Sequence, residues 1–170
     1  MALKSTSSTI VISQSVVESA ANTFTSQQVD LQLNPLDNEV FVVTGLNLDP
    51  DAPDSVTGTS TTVNVSLSTT ARTTVGSISD SNVLGAARTQ IICNAAMTSD
   101  GGIAFSREDP LYTPQEMSYL GIIATNDFFI NIEGIGNGNA KVCRARLYGY
   151  RAKADSSTYA ALVNSELLSA

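Results

Sequence analysis

The stretch Ser118-Tyr119-Leu120-Gly121-Ile122-Ile123-Ala124-Thr125-Asn126-Asp127-Phe128-Phe129-Ile130-Asn131-Ile132-Glu133-Gly134-Ile135-Gly136-Asn137-Gly138-Asn139-Ala140-Lys141-Val142-Cys143-Arg144-Ala145-Arg146-Leu147-Tyr148-Gly149-Tyr150-Arg151-Ala152-Lys153 decides the fold class. Two dense arms face each other across the glycine- and asparagine-rich turn 134–139, and the first arm pauses at Thr125-Asn126-Asp127. In the second arm alternate residues differ in kind. Cys143, Ala145, Leu147 and Gly149 are small or apolar and suit an inward face, while Arg144, Arg146, Tyr148 and Tyr150 share the outward one.

The same period of two recurs upstream. Gln28 to Asn34 puts Val29, Leu31 and Leu33 on one face until Pro35 ends the strand, and Thr62 to Ser68 repeats the pattern with small polar groups outside. Val40-Phe41-Val42-Val43 is apolar on both faces, which predicts a central strand covered on two sides. Further strands are expected in Thr9–Val17, Thr73–Ile78, Gln90–Cys93 and Gly102–Phe105. Breaks fall at Asn34–Asn38, Asp49–Asp54, Ser99–Gly102 and Asp109–Pro114, where the turn residues cluster. Two short helices are expected, Asp80–Arg88 with an acidic start and a basic last turn, and the tail Ser156–Leu168, which places Tyr159, Leu162, Val163 and Leu167 near one face. The fold class is all-β, an antiparallel β-sandwich of about eight strands with short helical segments and flexible terminal arms. Residues 1–9 form an N-terminal arm, 10–154 the sandwich, and 155–170 an amphipathic tail.

Composition agrees with that class. At 170 residues one core suffices, and Ser plus Thr fill roughly a quarter of the chain while only 15% of residues are charged. Such a bias favours extended backbone over helix. The net charge of −7 is uneven, with four basic against fourteen acidic groups in residues 1–140 and five against two in 141–170. An acidic body argues against nucleic acid contact, since phosphate binding needs clustered Lys and Arg. No apolar run is long enough to span a membrane, and the N-terminus lacks an apolar signal core, so synthesis in a cytoplasm is expected.

Catalytic chemistry finds little footing. His is absent, which removes the usual general base, and neither Ser-x-x-Lys nor Gly-x-Ser-x-Gly occurs. Paired carboxylates remain conceivable at Glu108-Asp109 and at Asp127/Glu133. Asp49, Asp51 and Asp54 form a hard-oxygen cluster that would suit calcium, although the loop lacks the glycine and terminal glutamate of an EF-hand. Gly134-Ile135-Gly136-Asn137-Gly138 has Asn139 where a dinucleotide fingerprint needs glycine and leads into a strand, so its glycines serve a turn. Asn64-Val65-Ser66 is a glycosylation sequon placed mid-strand. Cys93 and Cys143 read as buried thiols in strand contexts, with a disulfide between them as the alternative and without the spacing of a metal site. The outward residues Arg144, Arg146, Tyr148 and Tyr150, joined by the tail's apolar face, are the expected subunit interface.

With Tyr119 to Ile132 and Arg146 to Ala152 as its clearest segments, the chain resembles jelly-roll virion proteins of bacterial or archaeal viruses. The likeness lies in Ser/Thr-rich strands, a polar N-terminal arm, long mid-chain loops and a C-terminal extension. It implies an eight-stranded jelly-roll sandwich located in the virion. Such a protein self-assembles into a viral shell as capsid or decorating protein, with copies of itself and other virion proteins as partners and with no catalytic residues or cofactor. The alternative from another class is a carbohydrate- or receptor-binding β-sandwich of an adhesin.

Overall fold

A computed structural model describes residues 3–93, 102–105 and 118–169; for 102–105 it describes the backbone pairing. The described residues form two antiparallel sheets, a single 3-10 turn at Pro35–Asp37 and one α-helix. Its strands are β1 (Lys4–Ser5), β2 (Ile10–Val17), β3 (Thr25–Asp30), β4 (Glu39–Pro50), β5 (Thr61–Ser68), β6 (Val83–Cys93), β7 (Gly102–Phe105), β8 (Gly121–Ile123), β9 (Asp127–Ile135) and β10 (Val142–Lys153), followed by α1 (Ser156–Leu168). One sheet runs β1/β2-β10-β4-β8, with β1 and β2 pairing to different ends of β10; the other runs β3-β9-β5-β6-β7. The pairing is nested: β2 joins β10, β3 joins β9, β4 joins β8, and β5 joins β6.

The arms either side of residues 134–139 are therefore not hydrogen-bonded partners. β9 and β10 lie in opposite sheets, and the loop between them crosses from one layer to the other. Gly136 turns the chain at φ +74, a value that its lack of a Cβ permits. Glu18, only 3% exposed, holds this crossing. Its Oε1 accepts from Gly134 N at 2.6 Å and Thr23 N at 3.2 Å, and its Oε2 accepts from Lys141 N at 2.8 Å.

The core forms where the sheets' inner faces meet. Phe41, Val43, Ile123 and Leu147 from one sheet pack with Val63, Val65, Leu67, Ile130 and Ile132 from the other. The outer face of the first sheet carries a second apolar cluster, in which Val40, Val42 and Ala152 are covered by Tyr159, Leu162 and Val163 of α1 and by Leu3. That cover explains the strand apolar on both sides. α1 is fastened by Glu166, whose carboxylate oxygens accept from Ala124 N and Thr125 N at 2.9 Å each.

Several expectations need correction. Asp80–Arg88 is not a helix: Asp80 lies in a turn, where its carboxylate holds Arg72 and Ser77 N, and β6 starts at Val83 and pairs with β5. Thr73–Ile78 is not a strand. It belongs to the 69–82 connection, in which Gly76 N donates to Ser66 Oγ and Asn82 Nδ2 donates to Thr70 Oγ1. Thus Ser66, Ser68 and Asn131 point away from the core and yet are buried. The strand expected over 28–34 stops at Asp30, because Gln32 adopts a left-handed φ of 51; Leu31 and Leu33 still bury, at 5% and 7% exposure. The arm is laid down from Leu3 onward, with Lys4 and Ser5 in register with Lys153 and Ala152 and Thr6 N donating to Arg151 O. The Ser99–Gly102 and Asp109–Pro114 breaks fall wholly or largely outside the described residues.

Candidate functional site

The uncovered half of the first sheet's outer face is built from three strands with β10 in the middle. Register places Arg144 between Ser15 and Asp49, Arg146 between Ser13 and Asn47, and Tyr148 between Val11 and Gly45. Strand alternation sends Cys143, Ala145 and Leu147 into the core, as expected, and leaves Arg144 and Arg146 exposed. Gly45 lies beside Tyr148, close enough that a Cβ there would be in van der Waals contact with the ring at 3.4 Å. Val11, at 52% exposure, adds apolar surface beside it.

The two arginines differ. Arg144 Nη1 lies 2.8 Å from Asp51 Oδ1 and 4.0 Å from Asp49 Oδ2, and the hydrogen bond to Asp51 raises the guanidinium pKa above its ordinary value. Arg146 has no carboxylate partner among the described residues. The acidic loop thus meets the arginine strip within one chain. The remaining interface candidates also divide: Tyr150, Tyr159, Leu162 and Val163 join the cluster beneath α1, while Leu167 stays 62% exposed.

Asp49, Asp51 and Asp54 do not converge on a common point as a metal site. Asp51 Oδ1 faces Arg144 and its Oδ2 accepts from Val142 N. Asp54 pairs with Lys141, which lowers its carboxyl pKa, and its Oδ2 accepts from Gly138 N and Asn139 N. Among the described residues no three Asp, Glu or Cys side chains gather as metal ligands. Asp127 and Glu133 share a face of β9 but stand six residues apart, about 20 Å along an extended strand, too far for joint acid–base work. Glu108 and Asp109 lie outside the described residues. Cys143 is a fully buried free thiol whose pKa burial pushes up to about 12, and Cys93 is half-buried at the end of β6 in the other sheet.

Glu18 and Glu166, the two buried carboxylates that fasten the loop and the helix, escaped sequence reading. Each is a lone acid fastened to remote backbone, Glu18 to Gly134 and Lys141 N besides the nearby Thr23 N and Glu166 to Ala124 and Thr125 N, so no local pattern marks it. Asp30 was missed for the same reason: only strand pairing sets it directly opposite Asp127. No family model matches the chain, and no curated protein matches it significantly.

Proposed function

We propose that the protein is a non-enzymatic viral structural protein of the jelly-roll type, a capsid or decorating protein that self-assembles with copies of itself into the shell of a virion. The strand order carries this reading. With β1 and β2 taken as one interrupted edge strand and β7 as an addition beyond β6, eight principal strands remain. Counted along the chain, they pair first with eighth, second with seventh, third with sixth and fourth with fifth. Two further pairings, eighth with third and seventh with fourth, complete the sheets. Such nesting is what a long antiparallel hairpin rolled up on itself would give, and it supports the double Greek key of viral coat proteins and some lectins. A surface poor in charge also suits burial against like copies.

Size-exclusion chromatography with light scattering over a rising concentration series tests the proposal, alongside a glycan array. Growth from the 17.8 kDa monomer into defined higher assemblies supports it. A monomer at every concentration that also captures a glycan would replace it with the adhesin reading.

A further inference from the structure

Two charged features lack a counterpart of opposite charge among the described residues. The first is Arg146, an exposed cation on the open half of the first sheet, flanked by Ser13, Asn47 and Tyr148 and without a carboxylate among the described residues. Lys4 and Arg88 also lack one, but Lys4 sits on a two-residue edge strand and Arg88 shares its sheet's outer face with Glu133, one strand away across Asn64. The second feature is the pair Asp30 and Asp127, set directly opposite each other where β3 meets β9. Like charges in that position repel. Asp30 Oδ1 accepts from Gln32 N and Asn126 Nδ2, and Asp127 Oδ2 accepts from Gln28 Nε2. The other oxygen of each carboxylate has no partner among the described residues, and neither carboxylate makes an ion pair there: Arg151, the cation that reaches the neighbouring Leu31 and Gln32 carbonyls, pairs with Glu39.

We infer that these features are the two halves of one contact between copies: the Arg146–Tyr148 face of one subunit receives the Asp30–Asp127 edge of the next. Arg and Tyr are the side chains on which interface energy concentrates, and a cation between the aspartates removes their mutual repulsion. The halves occupy different surfaces, an outer sheet face and the edge region of the other sheet, so the contact is head-to-tail and repeats from subunit to subunit into a ring or an open filament, which further contacts would join into a shell. This inference rests on the self-assembly reading and names the surface through which it operates.

Charge exchange tests it. Wild type, Arg146→Glu, Asp127→Lys and the double variant are compared by light scattering across a concentration series, with circular dichroism as the check of folding. Asp127 is chosen because its side chain holds only the Gln28 amide, whereas Asp30 also caps Gln32 N. Each single reversal is expected to raise the concentration needed for assembly at least about tenfold, and the double variant to recover most of that loss. Asp127→Lys is also expected to raise the melting temperature of the dissociated subunit, because it ends the repulsion with Asp30. If Arg146→Glu does not fold, Arg146→Gln takes its place as the single variant with the same expected loss; being neutral it cannot restore the contact with Asp127→Lys, so that loss alone is then the test. Assembly of the single variants at wild-type concentrations, or a double variant no better than the singles, overturns the proposed contact while leaving self-assembly standing. A wild type that never assembles removes both.

Discussion

Replacing Glu18 by Gln leaves shape and volume almost unchanged and alters one acceptor. The carboxylate takes three backbone N–H groups from three separate segments, those of Thr23, Gly134 and Lys141. A glutamine has one carbonyl oxygen, which can keep Gly134 and Thr23, and its amide nitrogen then points a donor at the donor Lys141 N. One hydrogen bond to a carboxylate is lost, worth about 1.5–3 kcal/mol, and a buried N–H is left unmet. The site has no room to relax, since even a Cβ on Gly134 would stand 3.1 Å from both glutamate oxygens. The total loss is about 3 kcal/mol, which for a chain of this size lowers the melting temperature by about 10 °C. Urea unfolding of wild type and Glu18→Gln, with the slope unchanged, reads this directly. A loss below about 1 kcal/mol would refute the claim that Glu18 holds the crossing between the sheets.

Gly149→Ala is expected to cost about 3 kcal/mol or more by overpacking, because a Cβ there runs into the Phe41 ring and the Val42 carbonyl oxygen; the same unfolding assay checks it. Asp155, the N-cap of α1, is held at about 2 instead of 3.8, first by the Ser157 hydroxyl and then by Thr158 N–H. A carboxyl with a depressed folded-state pKa contributes stability that is complete above the unfolded value and is lost as pH falls through the folded one. The melting temperatures of wild type and Asp155→Ala are therefore expected to differ at about pH 6 and to converge near pH 2; a difference that persists in acid would contradict the cap.

Burial of one face imposes period two, and β5 and β10 stand almost where alternation put them, as β2 does where a strand was expected; β6, with Ala87 in the core, was not legible in this way. Val40–Val43 announced a cover on both sides but not its identity, which is the chain's own α1. The false helix at Asp80–Arg88 shows the limit of local signals. An acidic start and a basic end are also what a turn followed by an edgeward strand contains, and pairing with β5 decided between them. The outward face of β10 was read correctly as a face, but its division was not. Arg144 is occupied by Asp51 and Tyr150 lies beside α1, contacts made by residues about ninety and about ten positions away in sequence. Long-range pairing also placed Asp30 against Asp127 and Glu18 against the crossing loop.

Negative-stain electron microscopy of the concentrated wild-type protein tests the central claim most directly. Closed rings or shells built from a repeated unit of 17.8 kDa are predicted, with light scattering giving a mass that is a whole multiple of it. A uniform field of single subunits, unchanged at the highest attainable concentration, would contradict the account.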